Sequence, residues 1–210
     1  MVRVKICGIT SVEDAQAAVR AGADAIGLNF VPHSPRAVTE SVASEIRLSI
    51  PPFVHVVGVF ADATMDHVHR LSNRLELHYV QLHGSERPDS LWHYRSSVIR
   101  AVRVKDVEAL LTLAPWDDVA SAILLDGAGL EGMHGGAKFD WSLVEAARQQ
   151  VTRPLMIAGG LTPENVADAI AATKPFAVDV ASGVESAPGK KDESLMREFV
   201  RRAKFAEGTL

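Results

Sequence analysis

The sequence predicts a closed (β/α)8 barrel of the TIM type, in the α/β class. Apolar, β-branched runs alternate with helix-like segments from end to end of the 210 residues. The strand runs are near-continuously apolar, as in parallel sheets covered on both faces. Eight such β-then-α units most economically close on themselves. A doubly wound open sheet is the alternative, disfavoured because no G-x-G-x-x-G follows the first strand and no acidic residue sits at the expected spacing after it. With no Pro/Ser-rich linker or low-complexity tract, residues 1–210 read as one domain.

The first strand runs from Val2 to Cys7, with Gly8 permitting a sharp exit and Thr10 and Glu13 at capping-box spacing. Its helix extends from about Ser11 to Ala21, and Gly22 is a helix stop. Strand two, Ala25–Phe30, enters a loop stiffened by Pro32 and Pro35, and helix two spans Thr39–Ser49. Strand three is Val54–Phe60 with a helix over Thr64–Leu75; strand four is Tyr79–Leu82, with a short helix from Pro88 to Tyr94. Strand five, Val98–Val102, precedes a helix expected to bury Val107, Leu110 and Leu111. Strand six, Ala122–Leu125, ends at Asp126, and a Gly-rich loop from Gly127 to Ala137 leads to a helix with Leu143, Val144 and Ala147. Strand seven is Leu155–Ala158, followed by a helix that Thr162 caps and Pro163 starts. Strand eight is Ala177–Val180, and the last helix places Leu195, Met196, Phe199, Val200 and Ala203 on one face.

Composition narrows the function. A hydrophobic fraction of 47% in a chain this long supports a core without disulfides or metals. A net charge of −4 argues against nucleic acid or an anionic membrane as partner. The single cysteine fits a reducing compartment, no apolar run reaches the ~18 residues of a membrane span, and strand-like sequence from Val2 leaves no room for a leader. These point to the cytoplasm. The eight histidines are scattered, so no metal site is indicated.

In such a barrel the βα loops share one mouth, so strand ends hold the chemistry. Here they read Cys7, Asn29 with Arg36 in the next loop, Phe60 with Asp62, Gln81 with His83, Arg103, Asp126, Gly159-Gly160, and Asp179 with Ser182-Gly183. Cys7 alone reads as a small buried hydrophobe, but a nearby helix N-terminus would favour its thiolate. Arg36 alone would be a surface charge, yet its planar fork suits a carboxylate. Asp126 is either a turn residue before Gly127 or, facing an apolar mouth, a carboxyl held partly protonated as a general acid. His83 alone reads as a cap or backbone partner. Gly159-Gly160 and Ser182-Gly183 fall after strands seven and eight, where barrels of this kind bind phosphate through backbone N–H groups and a short extra helix.

Six segments, in order and at the right strand ends, then carry a resemblance: Lys5-Ile6-Cys7-Gly8-Ile9-Thr10, Ser34-Pro35-Arg36, Val80-Gln81-Leu82-His83-Gly84, Phe139-Asp140-Trp141, Ala158-Gly159-Gly160-Leu161 and Asp179-Val180-Ala181-Ser182-Gly183-Val184-Glu185. The chain resembles the phosphoribosylanthranilate isomerase family of tryptophan biosynthesis from Lys5 to about Asp192. The resemblance implies an Amadori rearrangement of N-(5-phosphoribosyl)anthranilate, without cofactor or metal, by a monomer or homodimer. It implies Cys7 as general base, Asp126 as general acid and Arg36 on the anthranilate carboxylate. It further implies Asp179 near the ribose, Gln81 and His83 lining the pocket, and Gly159, Gly160, Ser182 and Gly183 around the phosphate. One stretch departs from the family pattern. Gly132-Met133-His134-Gly135-Gly136-Ala137-Lys138 stands where the family usually has Gly-Gly-Thr/Ser-Gly-Lys, so the lysine falls one place later and the hydroxyl is missing.

Two related readings are disfavoured. Indole-glycerol-phosphate synthase would be expected to show a catalytic lysine and glutamate. The histidine-pathway sugar isomerase would show aspartates at the first and fifth strand ends, where this chain has Cys7 and Arg103. A non-catalytic phosphometabolite-binding protein would have no need for both Cys7 and Asp126.

Overall fold

The computed structural model describes residues 1–89, 91, 97–127 and 141–206. Its eight parallel strands pair in sequence order and close: β1 Arg3–Cys7, β2 Ala25–Asn29, β3 His55–Phe60, β4 Tyr79–Leu82, β5 Val98–Arg103, β6 Ala122–Asp126, β7 Leu155–Ala158 and β8 Ala177–Val180, which returns to β1. Six α-helices are described outside the barrel: α1 Val12–Ala21, α2 Glu40–Ser49, α3 Met65–Arg74, α4 Ser142–Arg148, α5 Val166–Thr173 and α6 Glu193–Phe205. Most of the short helix expected after β4 lies outside the described residues, as does the Gly132–Lys138 stretch.

Period-2 alternation sorts the strand residues into two layers. Val4 and Ile6 of β1 face the helices within the larger apolar cluster. A second cluster, with Val57, Ile99, Leu124 and Met156 among its members, fills the barrel interior. The register sets Lys5 opposite Asp179, Asp179 opposite Ala158, and Ala158 opposite Asp126. Inward-facing charges from β1, β8 and β6 therefore occupy one arc of the mouth.

Several local expectations are corrected. The cap of α1 is Ser11, whose side chain accepts from the Asp14 N–H, because the Thr10 hydroxyl is drawn away to donate to the Gly189 carbonyl at 2.5 Å. Gly22 does stop the helix, in the left-handed region at φ 91°. The turn into α5 opens at Thr162, whose hydroxyl accepts from the Glu164 N–H at 3.2 Å and whose carbonyl accepts from the Val166 N–H at 3.1 Å. The Asn165 carboxamide also ties the Thr162 N–H to the Gly160 carbonyl, and regular helix starts only at Val166, beyond Pro163. After β5 the chain forms two 3₁₀ turns, Glu108–Thr112 and Ala114–Trp116, rather than an α-helix. Pro115 denies the N–H that an α-helix would need. The three-residue period then buries Leu110, Leu113 and Trp116 and turns Leu111 outward at 66% exposed, while Val107, just before the first turn, is 59% exposed.

An antiparallel hairpin, β9 Glu185–Ala187 and β10 Lys190–Lys191, interrupts the connection from β8 to α6. It packs against the loops after β1 and β2. Gly189, at φ 78°, lies so close to the Pro35 carbonyl that an added Cβ would stand 2.6 Å from its oxygen. The Lys191 N–H donates to Asp14 at 3.0 Å.

Candidate active site

The β1–β8 seam brings a cation, an anion and the thiol together. Lys5 is 2% exposed, and its Nζ donates to Asp179 Oδ2 at 2.8 Å. Cys7, two residues further on the same face of β1, remains partly exposed. Gly27 of β2 stands opposite it without a side chain; a Cβ there would fall 2.7 Å from Cys7 Sγ and 3.2 Å from Lys5 Nζ. Sulfur and ammonium thus converge over bare backbone. Burial pushes the Cys7 thiol up, Lys5 opposes that, Asp179 adds to it, and Lys191 lowers it. The helix whose N-terminus the sequence places near the thiol begins only at Val12, and the charged side chains acting on the sulfur are Lys5, Asp179 and Lys191.

Arg36 is held from two sides. Its stem lies over Gly8, where a Cβ would meet Arg36 Cδ at 2.5 Å and where φ is +72°. Its Nε and Nη2 donate to the two carboxylate oxygens of Glu185 at 2.8 and 2.7 Å. Glu185 in turn accepts from Lys191 Nζ at 2.8 Å, and that ammonium also donates to the Ala181 carbonyl at 3.0 Å. The Lys191 and Glu185 side chains are 0% and 4% exposed. Burial alone would raise the Glu185 carboxyl, but Arg36 and Lys191 outweigh it and hold the group low. The fork expected to take a carboxylate is therefore half filled by the protein's own. Its other edge, Nη1 and the second Nη2 hydrogen, faces no described carboxylate.

Across the mouth, His83 Nε2 lies 3.2 Å from Asp126 Oδ2. The turn carrying His83 is pinned: Asp62 accepts from the Ser85 N–H at 2.7 Å, and Glu86 accepts from the Gly84 N–H at 2.9 Å and from Arg100 at 3.1 Å. A Cβ on Gly84 would strike the Asp62 backbone at 2.5 Å, which explains the glycine. Gln81 is 2% exposed, and its Oε1, like Asp179 Oδ1, has no partner among the described residues. Burying such acceptors is costly unless a ligand donates to them. Gly159 and Gly160 turn the chain after β7 at φ 92° and 66°. After β8, Ser182–Val184 forms a short 3₁₀ turn whose Gly183 packs on the Leu161 carbonyl, so the two loops touch.

The family model described as N-(5'phosphoribosyl)anthranilate (PRA) isomerase matches residues 4–202. The chain belongs to this family. The N-(5'-phosphoribosyl)anthranilate isomerase of Geobacter sulfurreducens is 47% identical over 205 residues, covering 97% of this chain and 99% of that one. The phosphoribosyl anthranilate isomerase structure from Thermotoga maritima superposes with a TM-score of 0.90 at 42% identity, covering 97% and 99% of the two chains. A phosphoribosyl anthranilate isomerase in complex with reduced 1-(o-carboxyphenylamino)-1-deoxyribulose 5-phosphate has a TM-score of 0.85 at 40% identity, with the same coverage. As a phosphoribosylanthranilate isomerase, the chain is an enzyme of tryptophan biosynthesis.

The structure brings Cys7, Asp179, Asp126, His83, Gln81 and Arg36 to strand ends or loops at one rim. Sequence reasoning missed Lys5, Lys191 and the role of Glu185. Lys5 left a signal: a lysine flanked by Val4 and Ile6, at the spacing that turns it inward with Cys7.

Proposed function

We propose that Cys7 and Asp126 divide the proton transfers of the isomerisation between them. Asp126, with His83 beside it, delivers a proton to the ribose ring oxygen as the anilinic nitrogen pushes into C1 and the ring opens. Cys7 then removes the C2 proton of the iminium, and the enolamine tautomerises to 1-(2-carboxyphenylamino)-1-deoxyribulose 5-phosphate. The scheme requires only proton transfers. Arg36 offers its uncommitted edge to the anthranilate carboxylate. Asp179 Oδ1 and Gln81 Oε1 accept from sugar hydroxyls. Gly159, Gly160, Ser182 and Gly183 receive the phosphate on backbone N–H groups.

The observation that carries this reading is the mouth itself. A partly exposed thiol beside a buried ammonium shares one rim with a carboxyl whose Oδ2 lies 3.2 Å from an imidazole nitrogen. The same reading takes residues 1–210 as one domain, in the cytoplasm, with a small phosphosugar rather than nucleic acid or a membrane as its partner. No described helix is long and apolar enough to cross a membrane. The proposed assembly is a monomer or homodimer, both of which are described for the Thermotoga maritima enzyme, and sedimentation distinguishes them.

The deciding experiment follows consumption of the fluorescent phosphoribosyl anthranilate by purified protein without added metal or nucleotide, beside Cys7→Ala and Asp126→Asn. Near-native kcat in either variant would remove that residue from its role.

A further inference from the structure

Lys5 sits where an apolar side chain would be cheaper. It is 2% exposed inside the barrel, and a buried ammonium carries a desolvation cost that one carboxylate only partly offsets. Neutralising Asp179 does not explain it, since a neutral pair would fill the same seam without buried charge. The ammonium has a second neighbour. Together with Cys7 Sγ it crowds the space over Gly27, where a single methyl would lie 3.2 Å from Nζ and 2.7 Å from the sulfur.

We propose that Lys5 is a positioning residue for the base: its ammonium, held by Asp179 over the bare backbone of Gly27, stabilises the deprotonated sulfur that takes the C2 proton. This rests on the reading of Cys7 as base and adds to it what counters the desolvation that pushes the thiol up. In the step concerned the C2–H bond breaks and an S–H bond forms. The C–H electron pair becomes the C1–C2 π bond, and the π pair of the iminium moves onto nitrogen. Lys5 keeps its proton throughout, so it donates to the thiolate before transfer and to Asp179 at all times.

The charges facing the sulfur come from four elements. Lys5 on β1 and Lys191 on β10 favour the thiolate, Asp179 on β8 opposes it, and Arg36 in the loop after β2 interacts with it as a cation. Lys191 and Arg36 are both engaged by Glu185, at 2.8 and 2.7 Å. Lys5 is paired as well, with Asp179, but its Nζ is the ammonium that converges with the sulfur over Gly27.

The chain has one cysteine, so alkylation by iodoacetamide across a pH series reports Cys7 alone, whether or not the protein turns over. Lys5→Met should raise the apparent thiol pKa by about one unit or more, whereas Asp179→Asn should lower it. In steady state, Lys5→Met should reduce kcat about tenfold or more at neutral pH, with KM little changed and the acid limb of the kcat profile displaced to higher pH. The double variant Lys5→Met/Asp179→Asn contains no unpaired buried charge. It should still titrate about one unit above Asp179→Asn alone, and it carries the decision if Lys5→Met does not accumulate.

Coincident titrations of Asp179→Asn and the double variant would overturn the proposal, leaving Lys5 as a counter-ion for Asp179. An active Cys7→Ala would overturn the base assignment instead, whatever the titrations show. An inactive Cys7→Ala with unmoved titrations would overturn only the role of Lys5.

Discussion

The two ends of the barrel hold charge in opposite ways, and β1 shows both. Near the amino end, Arg3 pairs with Asp24 at 3.3 Å with its side chain 64% exposed. Two residues on, along the same strand face, Lys5 pairs with Asp179 at 2.8 Å with the side chains 2% and 6% exposed. Water screens the first pair, which contributes about 0–1 kcal/mol. The second lies where charges act strongly on each other and where removing one partner strands the other. The floor also opens into a cavity of about 580 Å³ lined by His55, Tyr79, Ile99 and Met156 among others, while the mouth carries interlocked ion pairs. A cavity alone would direct attention to the floor, whose lining also includes Arg3, Asp24 and Lys5, but the thiol and the unpartnered Gln81 and Asp179 acceptors gather at the other end. What separates a functional rim from a structural one here is how its charges are coupled, rather than how much space it encloses.

Kinetics tests that distinction most severely. Cys7→Ala and Asp126→Asn should each lower kcat by about 10²–10⁴-fold with little change in KM, as expected for a lost base or acid. His55→Ala, on the floor, should leave kcat within about twofold, since no reacting atom is placed near it. A floor variant as damaging as the mouth variants would erase the contrast.

Stability gives the next largest difference. Lys191→Met leaves Glu185 buried with one partner instead of two, and should cost about 2–4 kcal/mol in denaturant melts. Arg3→Ala, which opens only the screened pair, should cost less than about 1 kcal/mol. A smaller kinetic effect is expected at Arg36. Arg36→Met should raise KM about 10–100-fold through loss of charge-assisted hydrogen bonds to the substrate carboxylate, with kcat less affected. An unchanged KM would show that the uncommitted edge of the fork meets no carboxylate.

The barrel was legible because its determinants are local. Near-continuous apolar runs fixed the strands to within a residue, and strand ends placed Cys7, Asp126 and Asp179 on one rim. The partners were not legible, because Lys5 meets Asp179 across 174 residues and Arg36 meets Glu185 across 149. No spacing rule reaches so far; barrel closure sets those distances. Two other differences had local signals. Pro115 forbids a continuous α-helix after β5, and Pro188-Gly189 is a turn dipeptide that marks the hairpin carrying Lys191. For Cys7 the sequence offered a helix terminus; in the structure α1 starts only at Val12, and the thiol is acted on by burial, by Lys5 two residues back on its own strand and by Asp179 across the sheet.

The smallest expected effect separates the two ends by pH. On the floor, partial burial and the neighbouring His55 and Arg47 hold the His78 imidazole below its ordinary value, and its Nδ1 accepts from the Val56 N–H at 3.0 Å, which requires the neutral ring. A depressed folded value means that this stability is present above the ordinary histidine pKa of about 6.5 and is lost as pH falls through the folded one. At the mouth, Glu185 is held low by Arg36 and Lys191 despite its burial, so its contribution persists down to the ordinary glutamate range near pH 4.3 and is lost only below it. Acid should therefore loosen the floor first and the mouth second. His78→Gln keeps an acceptor for the Val56 N–H and removes the titration. Its denaturation midpoint should fall less than that of the unaltered protein between about pH 7 and 5, and equally below about pH 4. Because His78 is exposed to solvent, the difference should be modest, and parallel losses in both proteins from pH 7 downward would show that the floor does not titrate separately from the mouth.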